Sequence, residues 1–260
     1  STGHMILVDE IIHLDVSEAY REVFMVVIQL GAILAVVVLY FKKLWPFCGD
    51  NGRDSGLAKH IRWPVMRLWG KILVACLPAA VLGLLLDDWM DAHLYNSVVV
   101  AIMLIVYGIA FILIERRPRV PTTTKLSRIT YKQAIIVGAW QVLALIPGTS
   151  RSGATIIGGL LCGMSRACAS QFTFFLAIPV MAGASGLKLV KFLAKGGVFT
   201  LGEVGTLLVG CIVAFVVSIL AIRFLMDYVK KHTFTVFGWY RIALGILVLG
   251  IWALQSFVLA

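Results

Sequence analysis

The feature that most constrains this chain is a series of six apolar runs of the length that a helix needs to cross a lipid bilayer. The runs are rich in Val, Ile, Leu and Ala and lie at residues 24–41, 72–86, 97–114, 172–190, 203–225 and 236–258. A crossing takes about 17 to 25 apolar residues for a hydrocarbon core of roughly 30 Å. Since 60% of the 260 residues are hydrophobic and only 14% are charged, a soluble globular domain is excluded. The sequence predicts an all-α, polytopic membrane protein.

A further apolar stretch, between residues 115 and 172, does not fit a continuous crossing. Its parts at 133–146 and 154–164 are each too short to span, and PGTSRSG at 147–153 separates them. Pro147 lacks an amide donor, and Gly148 and Gly153 disfavour helix, so the backbone is expected to break here. Broken backbone at membrane depth is tolerated only where it packs in protein or lines a polar cavity. We predict a re-entrant hairpin whose second helix begins after Gly153.

Loop charges predict the orientation of the spans. Segment 42–71 carries seven basic and two acidic residues, and segment 115–132 carries six basic and one acidic residue. The turn between them holds Asp87, Asp88 and Asp91 without Lys or Arg. Basic loops stay in the cytoplasm. The net charge of +10 is therefore assigned to topology signals, and no binding of nucleic acid is expected.

The orientation predicts an inverted-topology repeat within a single membrane domain, residues 1–260. Residues 1–114 would form the first repeat and residues 133–260 the second, each with a broken re-entrant hairpin and three crossings. VSEAYREVF at 16–24 is weakly similar to MSRACASQF at 164–172, and both segments precede a full span. The first hairpin is expected to lack its leading arm in this chain.

The segment PGTSRSGAT at 147–155 has the composition of an anion-binding turn. A guanidinium group presents a planar fork of donors that matches phosphate oxygens, and the start of a helix favours negative charge. The alternative is that Arg151 only anchors the hairpin on carbonyls or lipid headgroups. We favour function, because a charge in an intramembrane turn is costly. The candidate residues are Gly148, Thr149, Ser150, Arg151, Ser152 and Thr155.

A second polar turn, STGHM at 1–5, places Ser1, Thr2 and His4 beside Gly3. His4 is able to donate to a phosphate, to act as general acid or base, or to attack phosphorus. Gly-His-Met at a chain start also occurs as a remnant of expression vectors, which is the competing interpretation.

Two features of the spans have simpler explanations. Arg241, inside the last run, is expected to extend to the cytoplasmic interface, the alternative being that it reaches a central cavity. The five cysteines are scattered, odd in number and without CxxC spacing, so they are expected to be packing residues.

Through STGHM and PGTSRSGAT together, the sequence resembles the undecaprenyl pyrophosphate phosphatases of the bacitracin-resistance family. The resemblance continues through VVIQLGAILAVVV at 26–38, MSRACASQFTFFLAIPVM at 164–181 and the pair Tyr240 and Arg241. It argues against a vector remnant, because the family's first motif ends in Ser-Thr-Gly-His. It implies a hydrolase of the bacterial plasma membrane that converts undecaprenyl pyrophosphate to the monophosphate and phosphate. Such an enzyme recycles the lipid carrier of peptidoglycan synthesis, at a site open to the outer face.

The resemblance also implies roles for the two turns. Arg151 and Ser150 would hold the pyrophosphate with help from Thr155, and Ser1 and His4 would lie at the reacting phosphorus. The nucleophile is a serine, a histidine or a water. The family's first motif includes glutamates, natural ligands for Mg²⁺ or Ca²⁺, at positions upstream of Ser1. A divalent cation is therefore expected, with no ligand placed on this chain.

The alternative function is a transporter or flippase for a phosphorylated lipid or another anion, since inverted repeats with broken helices also build secondary transporters. A carrier moves its substrate and liberates no phosphate. The phosphatase requires a polyprenyl pyrophosphate lipid as substrate, either function requires a bilayer, and homo-oligomers are compatible with the sequence.

Overall fold

The protein is helical throughout the described part of the computed structural model, residues 16–48, 60–94, 96–117 and 120–258. These ranges contain no β-strand, only isolated bridges between Phe47 and Ile61 and between Thr123 and Met164. The helices are α1 (Glu18–Val27), α2 (Gln29–Leu39), α3 (Phe41–Leu44), α4 (Trp63–Leu94), α5 (Ser97–Arg116), α6 (Tyr131–Val142), α7 (Arg151–Leu161), α8 (Arg166–Ala194), α9 (Leu201–Lys231) and α10 (Thr235–Val258). The all-α prediction is confirmed.

Six helical segments in these ranges are long and apolar enough to cross a membrane, which confirms the predicted number. They are Glu18–Leu39, Trp63–Leu86, Val98–Arg116, Arg166–Ala194, Leu201–Lys231 and Thr235–Leu254. Several extend beyond the apolar runs, because a helix continues through polar residues that a hydropathy pattern does not detect. Arg67 and Lys71, for example, lie on α4 and not in the predicted loop.

Polar side chains determine where several helices begin. The Asn96 side chain accepts a hydrogen bond from the Val99 amide at 2.9 Å at the start of α5. Thr200 and Glu203 form a reciprocal pair at α9, in which the Thr200 amide donates to the carboxylate at 2.8 Å and the Glu203 amide to the hydroxyl at 3.2 Å. Each cap satisfies an amide that has no partner inside the helix and contributes about 1 kcal/mol.

The described residues divide into two compact units. We call residues 75–173 and 227–258 the hairpin unit, because they include α6 and α7, and residues 16–74 and 174–226 the second unit. The boundaries fall within α4, α8 and α9.

In the hairpin unit, α5 and α10 pack closely through small residues. A Cβ atom at Gly108 would lie 2.7 Å from the carbonyl oxygen of Gly238, and one at Gly245 would lie 2.8 Å from that of Ala101. Small residues are what allows membrane helices to approach this closely. The stretch of α10 between Gly238 and Gly245 is thereby held against α5, and it carries Arg241 into the interior.

The second unit is organised around a buried aromatic group. Tyr20 is fully buried, and its hydroxyl donates to the carbonyl oxygen of Glu203 at 2.6 Å. Its ring meets Phe199 edge-on with centroids 6.2 Å apart, and Phe199 also packs on Phe192 at 4.7 Å. These contacts tie α1 to the segment between α8 and α9.

Candidate active site at the hairpin turn

The predicted break in the hairpin is present. α6 begins at a reciprocal cap between Thr130 and Gln133 and runs to Val142, where a short 3-10 turn at Leu143–Leu145 ends the helix. The Ile146 amide donates to the Leu143 carbonyl at 3.2 Å, and helix resumes only at Arg151. The helix start was predicted after Gly153 and lies earlier, because Ser150 caps it.

Gly148 sets the path of the chain through this break. Its φ of +83° lies in the left-handed region that residues with a side chain rarely adopt. A Cβ atom here would also collide with the carbonyl oxygen of Val100 on α5. The turn therefore lies directly on the α5 backbone, and only glycine fits at this position.

Ser150 organises the start of α7. Its hydroxyl accepts a hydrogen bond from the Gly153 amide at 3.2 Å and lies 3.1 Å from the hydroxyl of Ser152. The side chain of Ser152 is exposed and that of Ser150 partly so, whereas Thr149 is buried. The first turn of α7 thus presents two neighbouring hydroxyl groups together with the positive end of the helix dipole.

Arg151 is the first residue of α7 and adds a full positive charge to that helix end. It lies outside the six spanning helices and is partly buried. Burial lowers the pKa of its guanidinium to about 10, so the group is still protonated at neutral pH. A cation, hydroxyl groups and a helix N-terminus at one place form a site suited to a phosphate anion.

Thr155 lies one turn further along α7 and is almost completely buried. Its hydroxyl approaches the carbonyl oxygens of Arg151 at 2.9 Å and Ser152 at 3.2 Å, and it accepts a hydrogen bond from the Thr173 hydroxyl of α8 at 2.9 Å. These contacts position the backbone that carries Arg151 and Ser152. The sequence contains no local signal for Thr173, because 18 residues separate it from Thr155.

Arg241 is the main functional candidate that sequence reasoning misplaced. The preferred expectation, that it extends to the interface, is wrong, because the residue is only 9% exposed. Its Nη2 donates to the carbonyl oxygen of Gly148 at 3.0 Å, and its guanidinium lies 5.8 Å from the centre of the Tyr107 ring. The clue in the sequence was an arginine inside an apolar run. The partner, 93 residues away, was invisible there.

The remaining predicted site residues, Ser1, Thr2 and His4, lie outside the described residues. Their proximity to the hairpin turn stays a prediction. The five cysteines are free thiols, as expected from their spacing.

The hairpin turn by itself does not match a divalent-cation site. It offers hydroxyl groups and a guanidinium but no carboxylate, the ligand that Mg²⁺ and Ca²⁺ prefer. Across the described ranges, no group of three or more His, Cys, Asp or Glu side chains is placed to hold a metal ion.

Comparison with known proteins agrees with the resemblance found in the motifs. Relatives named undecaprenyl-diphosphatase include one from Enterococcus faecalis, 61% identical over 254 residues that cover 97% of this chain and 90% of the relative. Another, from Lactococcus lactis subsp. cremoris, is 55% identical over 262 residues, which cover 99% of this chain and 92% of the relative. A third, from Desulfitobacterium hafniense, is 56% identical over 255 residues, which cover 96% of this chain and 87% of the relative. The family profile described as bacitracin resistance protein BacA matches residues 1–247, and the chain belongs to this family.

Proposed function

We propose that this chain is a membrane phosphatase that hydrolyses undecaprenyl pyrophosphate to undecaprenyl phosphate and inorganic phosphate. The observation that carries the proposal is the start of α7, where Arg151, two serine hydroxyls and the helix dipole form an anion site on a broken intramembrane hairpin. The names of the relatives at 55 to 61% identity supply the substrate. In the cell wall, this reaction recycles the lipid carrier of peptidoglycan synthesis.

The hairpin turn would bind the pyrophosphate through Arg151, Ser150, Ser152 and the Gly148 amide. The Thr149 amide is held within the turn by the Ile146 carbonyl at 3.1 Å, so Thr149 would contribute through its place in the turn. The guanidinium offers a pair of parallel donors, which grip two phosphate oxygens and orient the group. Because the groups are already held by the turn, little reorganisation is needed as charge shifts in the transition state. Thr155 and Arg241 act as positioning residues, since they bond to the backbone of the turn, and Thr173 acts through the Thr155 hydroxyl.

Hydrolysis breaks the bond between the terminal phosphorus and the bridging oxygen. The electron pair of that bond leaves with the lipid phosphate, and the terminal phosphoryl group is finally joined to the oxygen of a water molecule. Charge builds up on the departing bridging oxygen, which a cation such as Arg151 stabilises. We propose Ser1 and His4 as the further catalytic residues, with Thr2 beside them, and the attacking group is the serine, the histidine or the water.

The first test is phosphate release from undecaprenyl pyrophosphate in detergent micelles. We expect Arg151→Ala to lower the turnover rate by about 10³-fold or more, in the range seen when an arginine that stabilises phosphoryl transfer is removed. Arg151→Lys keeps the charge but loses the planar fork, so it should also be severely impaired. Arg223→Lys on α9 is the matched control, because this arginine is exposed and far along the sequence from the turn. Near-normal release by Arg151→Ala would refute the proposal.

The same assay separates hydrolysis from transport. His4→Ala is expected to reduce release strongly if both polar turns serve one site. A wild-type protein that moves labelled lipid across liposomes and releases no phosphate would instead establish the carrier function.

We also propose that a divalent cation, Mg²⁺ or Ca²⁺, takes part, with ligands outside the described residues. The support is the resemblance to the family, whose first motif includes glutamates. Chelation with EDTA should abolish phosphate release, and added Mg²⁺ or Ca²⁺ should restore it. Full activity after chelation would exclude a readily exchanged metal.

The multi-pass fold places the protein in a membrane, and we propose the bacterial plasma membrane with the site open to the outer face. The basic segments 42–71 and 115–132 support this orientation. Cysteine substitution at exposed Lys125 should be labelled by a membrane-impermeant reagent only after the cells are opened. Labelling in intact cells would reverse the orientation.

A further inference from the structure

An exposed aromatic patch lies in the second unit, where two spanning segments have their ends. The segment Glu18–Leu39 ends just before the patch, and the segment Trp63–Leu86 begins in it. We call the patch the aromatic platform, and its members are 47 to 54% exposed: Phe41, Trp45, Phe47 and Trp63. None of the functions assigned above uses this surface.

Ring contacts connect three members of the platform. Phe41 stacks on Trp45 with ring centroids 5.1 Å apart, and Trp45 meets Phe47 edge-on at 5.5 Å. Stacked and edge-on arrangements are the favourable geometries for aromatic pairs. Because about half of each residue is still exposed, the rings form one continuous apolar surface that the protein leaves uncovered.

Arg62 fixes the backbone that carries the platform. Its Nη1 donates to the carbonyl oxygens of Lys42 at 2.6 Å and Trp45 at 3.2 Å. Its amide donates to the carbonyl oxygen of Pro46 at 2.7 Å, beside the isolated bridge between Phe47 and Ile61. These bonds join the end of α3 to the start of α4. The rings are therefore held in place by backbone contacts and not by burial of their own surface.

Positive charge accompanies the rings. Lys42 follows Phe41 directly, and Arg67 lies one turn after Trp63 on the same face of α4. Both basic residues are exposed. The described residues around the platform, 40–48 and 60–71, contain no Asp or Glu. The platform thus combines apolar rings with an excess of positive charge.

This combination matches the headgroup region of a lipid leaflet that contains anionic lipids. Tryptophan rings are typical of the boundary between hydrocarbon and headgroups, and long basic side chains extend from there to the lipid phosphates. A zwitterionic lipid has no net charge to balance the excess positive charge, whereas an anionic lipid does. Clusters of Lys and Arg next to the cytoplasmic ends of membrane helices are typical binding sites for anionic lipids.

We propose that the aromatic platform lies in the headgroup region of the cytoplasmic leaflet and enriches anionic lipids there. The rings would lie at the level of the lipid carbonyl groups, with Lys42 and Arg67 at the phosphates. The basic segment 42–71 predicts the cytoplasmic leaflet. The inference concerns a lipid surface and does not depend on the proposed enzymatic function.

Quenching of tryptophan fluorescence by brominated lipids tests this proposal. The full chain is reconstituted in phosphatidylcholine vesicles that contain equal fractions of brominated phosphatidylglycerol or brominated phosphatidylcholine. The difference between the wild type and Trp45→Phe isolates the signal of Trp45. We expect a preference for phosphatidylglycerol of at least about fivefold at Trp45, since each basic residue near an anionic lipid contributes roughly that factor. The double variant Lys42→Gln, Arg67→Gln should lower this preference to less than about twofold.

Lys125→Gln, Arg128→Gln is the matched control, because it removes two exposed basic residues from the other basic segment, 115–132. It should leave the preference at Trp45 within about twofold of the wild type, because screening confines the effect of a charge to its neighbourhood. Bromine high on the acyl chain should also quench Trp45 more strongly than bromine near the chain end, since the ring lies at the interface.

Phosphate release by the double variant in detergent should equal that of the wild type, which shows that the variant is folded. If it is impaired, Arg67→Gln alone, at an exposed position, should still lower the preference by at least about twofold. Equal quenching of the wild type by the two brominated lipids would overturn the proposal, as would equal losses in the platform variant and its control. Stronger quenching by the deeper bromine would place the rings in the hydrocarbon core instead. If neither lipid quenches Trp45, the surface belongs to a protein partner and the proposal is wrong.

Discussion

The helices α7 and α9 are both apolar, but they differ in how much of their surface is buried against other helices. Seven of the eleven residues of α7 are buried, and five of these seven are small or polar. α9 has 31 residues, and only 6% of its most apolar window is buried. α9 leaves most of its apolar surface exposed and contacts α1 and α2 at a few positions such as Cys211. α7 instead packs against α5, α6 and α8 through Gly153, Gly158 and Thr155. We expect the functional residues on α7, because its buried small and polar residues must pack against other helices.

The largest effect is expected from a substitution at Gly148, in the turn before α7. Gly148→Ala should destabilise the protein, because left-handed backbone costs a side-chain-bearing residue about 1 to 3 kcal/mol and the new Cβ collides with Val100. Phosphate release should fall with it, since the turn must move off α5. Apparent melting temperature in detergent and phosphate release measure the two effects.

Gly205→Ala on α9 is the control for that substitution. A Cβ at Gly205 meets no atom within 4 Å, so alanine should leave activity unchanged and stabilise the helix by up to about 1 kcal/mol. Equal losses from both substitutions would mean that the close approach at Gly148 does not exist in the folded protein.

An intermediate effect is expected from Arg241→Lys. Lysine cannot reproduce the guanidinium contact with the Gly148 carbonyl and the Tyr107 ring, and a charged hydrogen bond is worth about 1.5 to 3 kcal/mol. We expect kcat/KM to fall by about 10- to 100-fold. Arg223→Lys on α9 should change neither kcat/KM nor the melting temperature. If Arg241→Lys lowers only the melting temperature, Arg241 stabilises the fold without positioning the turn.

The smallest predicted effect compares two threonine hydroxyls with the same local bond. Thr155 on α7 and Thr206 on α9 each donate to a carbonyl oxygen four residues earlier at 2.9 Å. Only Thr155 is buried and also accepts from Thr173. Thr155→Val and Thr173→Val should each destabilise by about 1 kcal/mol, while Thr206→Val should cost less than about 0.5 kcal/mol.

The double variant Thr155→Val, Thr173→Val tests whether the two hydroxyl groups interact. Since Thr155→Val and Thr173→Val remove the same hydrogen bond, their combined effect should be smaller than the sum of the two single effects. Strict additivity would show that the two hydroxyls do not interact.

Local sequence patterns were sufficient for much of the fold. The six spans follow from apolar length, and the break at 147–150 follows from Pro147 and Gly148. A short helix after the break follows from the same segment, although it begins at Arg151 and not after Gly153. The helix ends were less accurate, because α4 and α9 continue as helix beyond their apolar parts. Hydropathy reports which residues prefer lipid. The helix itself continues through polar residues until its terminal backbone groups are capped.

The amino-acid sequence by itself determined the membrane class, the number of spans and the family, and it predicts anion binding at the hairpin turn. These properties depend on neighbours along the chain, whose spacing is visible in the letters. Only the tertiary structure decided that Arg241 holds the turn, that Thr173 supports Thr155 and that Glu115 is neutralised by Arg166. The paired residues are separated by 93, 18 and 51 positions, so no local sequence pattern indicates that they are in contact. Their pairing arises because helix packing brings together polar groups that are distant along the chain and have little access to water.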